Sequence, residues 1–583
     1  VKDYVIARYG AQRVSEIITF DFMKARGAVR DAGRAMNLPY ALCDRIAKQI
    51  DPRRTIAEMM RAKDGADLRE LDQTNADAHR LLEMAQKIEG VPRHVSTHAA
   101  GVLISAIPID DLVPLQKNDT VVVTQYPMQV LEYLGLLKFD FLGLRNLTVI
   151  RDCVRAIQKE HPDFLIDQIP IDDADVYKMM ARGETTGVFQ FESAGMRRVL
   201  TRLMPENLED LTAVLSLYRP GPRDSIDKFI ENRRHPEKIT YAHPLLEPIL
   251  NVTNGCIVYQ EQVMLLSRLL ADFTRGESDA LRKAMGKKLR DKLDHMKPKF
   301  IEGGRKNGHD PKVLEKIWTD WEKFASYAFN KSHATCYSWV AYQTAFLKAN
   351  YPAEYMAATM SRNISNITEI TKLMDESKAT GIMTKGPDVN ESYLKFSVNR
   401  KGDIRFGLGA IKGVGESAVQ SILEERERNG EYKDIFDFVQ RVNLSACNRK
   451  NIENLALAGA FDSFTGIKRE DFFVKNAKDE TFTEVLVRYG NKYQMDKAAA
   501  ANSLFGGENQ VDIATPEIIP SPAWGDLERL NKERDLVGIY LSAHPLDEFS
   551  IVLEHVCNTR MADLEDKAAL VGREITMGGI VTN

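Results

Sequence analysis

The chain has 583 residues, 28% of them charged and 44% hydrophobic, with a formal net charge of -4. That length exceeds a single hydrophobic core and predicts about three to five domains of a soluble globular protein, while the slightly acidic balance excludes a uniformly basic nucleic-acid coat and leaves only local basic patches. No apolar run is long enough to cross a membrane, no leader pattern opens the sequence, and the six cysteines lie far apart without a CxxC pair, which predicts reduced thiols rather than a disulfide framework or zinc site.

In chain order, Val1 to Tyr9 reads as the end of an amphipathic helix capped by Gly10, and Val14 to Phe20 as a strand rich in β-branched and aromatic residues. A helix is predicted from Asp21 to Met36, followed by a charged helical module from Pro39 to about Gly90. Strands follow at Val102–Ser105 and Val121–Tyr126, and His98, beside Ala99-Ala100-Gly101, marks a place for backbone to approach a ligand or a structural histidine. Leu136 to Gly143 has a period of two, which predicts a short buried strand near the centre of an α+β core. Leu137, Phe139 and Phe141 fall on one face, Lys138 and Asp140 on the other. An acid in so apolar a segment needs a cation or a metal, so the pair is either a buried ion pair or a metal-binding Asp140 with Lys138 facing phosphate.

From Thr148 to Asn390 the pattern is mainly helical. Thr186 to Ser193 stands out, as does Tyr218-Arg219-Pro220-Gly221-Pro222, a rigid turn presenting Arg219. The run Leu281 to Lys288, carrying Arg282, Lys287 and Lys288, opens a basic stretch that suits phosphate or a solvated helix face. In Phe329 to Tyr337, Ser332 is the predicted N-cap, and His333 and Tyr337, four apart, share a helix face. With Lys331 they offer cations and a ring to a nucleotide. Phe406 to Val419 is a Gly-punctuated turn opening a helix. With no βαβ unit around it, it reads as a helix-hairpin-helix in which Lys412, Gly413 and Gly415 hold a DNA phosphate. A second, degenerate copy runs from Asn448 to Asp462. Leu504 and Phe505, in a flexible setting, read as a docking peptide or as a loop tucked onto its own domain. Pro516 to Pro522 reads as a linker, and Gly572 to Thr582 as the first strand of a β-domain. The start at Val1 and the stop at Asn583 both fall inside apparent elements, which predicts a piece of a longer protein.

Taken in this order, Lys138 to Leu144, Tyr218 to Pro222, Tyr259-Gln260-Glu261-Gln262, Arg282 to Lys288, Phe329 to Ala334 and Gly409 to Gly415 resemble the alpha subunits of bacterial DNA polymerase III, the C-family replicative polymerases, over essentially the whole chain. The resemblance implies a mostly helical, multidomain α+β protein: an incomplete polymerase-beta-like nucleotidyltransferase palm (1–35 and 91–147), a thumb (36–90), fingers (148–395), a tandem helix-hairpin-helix and clamp-binding region (396–515), a linker and helical segment (516–570) and the start of an OB domain (571–583). It implies a DNA-directed DNA polymerase of the bacterial cytoplasm, using two Mg2+ ions. Its partners would be primer-template DNA, dNTPs, the beta sliding clamp, a proofreading epsilon subunit and a clamp-loader tau subunit, with no membrane.

By the same resemblance Asp140 matches the third of three metal-binding aspartates. The other two, the palm's Gly-Ser phosphate loop and the PHP domain would lie before Val1. Lys138 falls near primer or nucleotide phosphates; Arg282, Lys287, Lys288, Lys331, His333 and Tyr337 face the dNTP; Arg219 and the Lys412–Gly415 hairpin meet DNA. One carboxylate cannot position two hard cations, so the chain alone is expected to be inactive. Ala501 stands where the clamp peptide usually starts with Gln, so Leu504 and Phe505 are expected to bind the clamp weakly. The competing reading is a non-catalytic DNA-binding scaffold of helix-hairpin-helix and OB modules.

Overall fold

The computed structural model describes residues 1–52, 54–219, 223–286, 289–324, 328–501, 514–559, 563–564 and 570–580. It divides into two compact units, Val1–Leu144 and Arg145–Asn583.

The first unit begins with α1 (Lys2–Tyr9), which Gly10 ends at φ 94°. Its sheet contains β1 (Val14–Phe22), β2 (Pro92–Ile104), β3 (Leu115–Asn118), β4 (Val121–Pro127) and β5 (Lys138–Asp140), in the spatial order β3-β4-β1-β2-β5. β1 runs antiparallel to β2 and parallel to β4, so the sheet is mixed. Ile17 of β1 and Leu103 of β2 pack with Ile109, Val113 and Leu131 under the sheet.

Between β1 and β2 sit α2 (Ala25–Ala35), α3 (Tyr40–Gln49), α4 (Ile56–Arg61), α5 (Ala66–Thr74) and α6 (Ala76–Ile88). Their apolar stripes close on one another around Val29, Ile46, Ile56, Leu68 and Leu81, a core drawn from this module alone. The chain enters and leaves it at one point: Met23 N–H donates to the Val91 carbonyl and Gly90 N–H to the Met23 carbonyl, both at 2.8 Å.

Three expectations are corrected here. The helix predicted from Asp21 starts at Ala25, because Asp21 and Phe22 extend β1 opposite His94 and Pro92. β2 is a 13-residue strand rather than the four residues from Val102 to Ser105. β5 is neither buried nor central: it pairs with β2 alone, at the edge of the sheet, and Leu137 beside it is 64% exposed.

The second unit is chiefly helical. One core runs from Val149 and Cys153 on α7 (Arg145–Ile157) through Tyr355, Phe406, Phe438, Phe461 and Leu486 to Val537. A second core gathers Phe300, Trp318 and Trp321 from the helices Arg290–Lys306 and Pro311–Phe324, with the Phe300 and Trp321 rings 4.8 Å apart. A small sheet has the order β6-β8-β7, from β6 (Thr384–Lys385), β7 (Ser397–Val398) and β8 (Ile404–Arg405).

The Gly-punctuated turn is built as a tight hairpin. Gly413 has φ +78°, and a Cβ there would lie 2.5 Å from the Asn454 side-chain nitrogen. That nitrogen donates to the Lys412 carbonyl, and the Asn451 amide donates to the Gly413 carbonyl at 2.8 Å. The helix Arg449–Leu457, capped by Asn448, thereby clasps the hairpin. Residues 570–580 form no strand; Asn558 ties them, its backbone N–H donating to the Thr576 carbonyl at 3.0 Å and its side chain accepting from Thr576 N–H at 2.9 Å. Among the described residues, no helix is long and apolar enough to cross a membrane.

Candidate functional site

The predicted acid and ammonium do meet. Lys138 Nζ lies 3.1 Å from Asp140 Oδ1, their side chains 15% and 51% exposed. Two residues apart on β5, they project from one face, and the open edge leaves the carboxylate half in solvent. Beneath them β2 buckles: Glu16 faces Val102, while the next paired residue, Ile18, faces Thr97. His98 fastens this bulge, its Nδ1 accepting the backbone N–H of Gly101 at 2.7 Å and of Ala100 at 3.2 Å. That role places the ring proton on Nε2. Gly101 pairs with Asp140, and a Cβ on it would lie 2.9 Å from His98 Nδ1 and 3.1 Å from Lys138 Cδ. Glycine here lets the histidine, the lysine and the strand edge share one spot. Among the described residues no three His, Cys, Asp or Glu side chains are grouped to hold a metal. Asp140 is therefore not part of such a group, and the residues present do not by themselves fit a two-metal centre.

In the second unit a cavity of about 650 Å³ brings together Arg219, His333 and Tyr337. Asn330, not Ser332, caps the helix Lys331–Asn350: its side-chain oxygen accepts His333 N–H at 2.9 Å, the reach of an N-cap to the third helical residue. The His333 and Tyr337 rings then lie 4.4 Å apart on one face. Tyr337 also meets Phe189 at 5.4 Å and His333 meets Phe329 at 5.5 Å, while the Arg219 guanidinium sits 4.2 Å above the Phe329 ring. Burial holds Arg219 below its ordinary pKa. The result is an aromatic shelf with a guanidinium and an imidazole at its edge, chemistry that suits a flat base and an anionic phosphate.

The opposite wall is the strap Thr186 to Phe191, which sequence reasoning singled out without a role. Gly187 and Gln190 take left-handed φ values of +77° and +64°, which turn the strap into the cavity. It is fixed from below. Lys348 Nζ donates to the carbonyls of Glu184 (2.8 Å) and Thr186 (3.0 Å) and is paired with Glu376; Tyr355 Oη donates to Gly187 (2.7 Å); Phe189 N–H donates to Thr344 Oγ1 (3.1 Å). Lys348 and Thr344 were missed. Their signal is the helical spacing of 333, 337, 344 and 348, which continues one face.

Other predicted residues stand apart from the cavity. Lys331 Nζ is 3.1 Å from Glu209 and 5.5 Å above the Tyr259 ring. Arg282 is held by Asp279 at 2.8 Å. The Lys412 N–H is already donated to the Leu536 carbonyl, at 2.9 Å, whereas Gly415 opens the helix Glu416–Asn429 with no side-chain cap, so that helix start remains suited to an anion. Lys287, Lys288, Leu504 and Phe505 lie outside the described residues.

Three family models match the chain: the bacterial DNA polymerase III alpha NTPase domain over residues 1–143, the bacterial DNA polymerase III alpha subunit finger domain over 146–308 and a helix-hairpin-helix motif over 381–472. The chain belongs to the bacterial DNA polymerase III alpha subunit family. It is 39% identical to the DNA polymerase III subunit alpha of Aquifex aeolicus, over all of this chain and 50% of that protein. The subunit alpha of Chlamydia trachomatis is 40% identical over 97% of this chain and 45% of its own length, and that of Escherichia coli 38% identical over 100% and 51%. The chain thus spans about half the length of the curated relatives it matches. Within the polymerase III alpha family match, the strap and Arg219 belong to the finger domain, while His333 and Tyr337 lie on a helix beyond its last matched residue, 308.

Proposed function

We propose that this chain is part of the catalytic alpha subunit of a bacterial replicase, a DNA-directed DNA polymerase that joins a dNTP to a primer 3′-hydroxyl. The observation that carries the reading is the cavity of Arg219, His333 and Tyr337 in a chain related throughout to such subunits. In this reading residues 1–35 and 91–147 form a polymerase-beta-like palm, 36–90 the thumb, 148–395 the fingers and 571–583 the start of an OB domain. Asp140 would be one ligand of a Mg2+ pair, which would supply charge neutralisation at the reacting phosphate. Lys138 holds the Asp140 carboxylate in place and sits near phosphate. Arg219 and His333 take the nucleotide's phosphates and Tyr337 its sugar or base. Lys331 and Arg282 reach the nucleotide only by leaving Glu209 and Asp279. Leu504 and Phe505 dock into the sliding clamp, and epsilon and tau subunits complete the partner set.

Primer extension with magnesium and dNTPs tests the reading. The expected outcome is that this chain binds primer-template without extending it, and that a version lengthened to the full span of its relatives extends it. If neither extends primers and both bind DNA, the scaffold reading, favoured by the helix-hairpin-helix match, replaces it.

In the lengthened protein, His333→Ala is expected to raise the KM for dNTP about tenfold, the worth of one charge-assisted hydrogen bond. An unchanged KM would return His333 to packing between Phe329 and Tyr337.

A further inference from the structure

A second cavity, of about 550 Å³, lies away from the His333 shelf, between α7, the helix Pro352–Arg362 and the β7–β8 hairpin. Its wall includes Tyr393, which is 42% exposed. The ring is backed by a fixed cation: the Arg426 guanidinium lies 5.0 Å from its centroid, is itself buried, and donates to the carbonyls of Val389 and Ser392 at 2.8 Å. The backbone is pinned too, since the Tyr393 carbonyl accepts Leu408 N–H at 2.9 Å. A second cation, Lys159 Nζ, sits 5.3 Å from the ring, but it is exposed and, among the described residues, no carboxylate holds it.

Around this ring stand Arg155, Lys395 and Arg400, all exposed and, among the described residues, without a carboxylate partner. Of the acids in the same cavity, Asp152 is taken by Arg151 and Arg362, which leaves Glu160 and Glu354 against four open cations. In a chain of net charge -4, this is a local cationic rim around an anchored aromatic ring.

We infer that this cavity is a single-stranded DNA site, in which a base stacks on Tyr393 and the adjoining phosphates meet Arg155, Lys159, Lys395 and Arg400. Rigid rings with flanking cations are how single strands are held without reading sequence. A base taking the place of Lys159 over the ring frees that ammonium to meet a phosphate. An acidic peptide fits less well, because it satisfies the rim while leaving the ring unused. The inference does not rest on polymerase activity, and its test reads binding alone.

The probes are a fluorescent dT oligomer, an abasic strand of equal length and a polyglutamate peptide, titrated against this chain. Tyr393→Ala is expected to weaken dT binding about tenfold and abasic binding hardly at all, and Tyr393→Phe to restore it. Lys395→Glu with Arg400→Glu is expected to lower the slope of log affinity against log salt by about 1.4, the share of two single-strand phosphates. A strand carrying 5-iododeoxyuridine is expected to cross-link to the peptide containing Tyr393. Three results would overturn the inference: dT binding unchanged in Tyr393→Ala, cross-links that map only elsewhere, or polyglutamate competing as strongly as dT. All substituted side chains are exposed, and unchanged melting of each variant separates lost binding from lost folding.

Discussion

Replacing Asp140 with alanine in the lengthened protein will reduce templated primer extension to background while leaving its affinity for duplex DNA within about twofold. The reason lies in the edge position of β5. Asp140 keeps half its surface open and holds one oxygen on Lys138; in the proposed reading the other would serve a hard cation. The substitution has little structural cost. The pair it breaks is half in solvent, where such pairs contribute at most about 1 kcal/mol, so a melting curve close to the parent's is expected alongside the lost activity. Extension that persists above background in Asp140→Ala would leave the residue as the exposed half of an ion pair and remove it from the reaction.

The second large effect is expected at Lys348→Met. This buried lysine serves Glu376 and the carbonyls of Glu184 and Thr186, at the start of the strap, and its removal strands all three, a change worth about 3 kcal/mol of stability. Desolvation holds the Lys348 ammonium below its ordinary pKa even against the pull of Glu376, so the charge is not there for its own stabilising value. The sign follows: the folded chain binds this proton less tightly than the unfolded one, so the parent gains on the methionine variant as pH rises from that lowered value toward 10.5. Replacing both partners, Lys348→Met with Glu376→Leu, should recover part of the loss, because no charge is then left unpaired. In the lengthened protein the single variant should also raise the KM for dNTP more than it lowers kcat, since Phe189 and Gln190 ride on the strap. If Lys348→Met melts with the parent and keeps its KM, the strap is held by Tyr355 and Thr344 alone.

The parts legible in the sequence were those set by neighbours a few residues apart. The helix ending at Gly10, the strands at Val14 and Val121, and the shared face of His333 and Tyr337 follow from local periodicity and capping. Asn330 and Ser332 are both capping residues, and only the geometry of the turn chooses between them. The period of two at Leu137, Phe139 and Phe141 says which side chains share a face, but not whether anything covers it; Leu137 and Phe139 are exposed because β5 pairs on one side only. The strap escaped for a different reason. Its shape depends on Lys348, Thr344 and Tyr355, each more than 150 residues away along the chain. Arg282 and the neighbouring lysines look cationic in sequence, yet Asp279 neutralises Arg282 and Lys283 from the preceding turn.

The doorway at Met23, Gly90 and Val91 bears on how the first unit assembles. β1 and β2 pair residues as distant as Val14 and Ile104, a long-range contact of the kind that slows folding. The five helices between them bury their own apolar faces, so they can collapse early from contacts close along the chain. Once they have, the stretch to be closed shrinks from a long loop to one hydrogen-bonded step, and most of its entropic cost has already been met inside the module. The two strands then zip as if joined by a short turn.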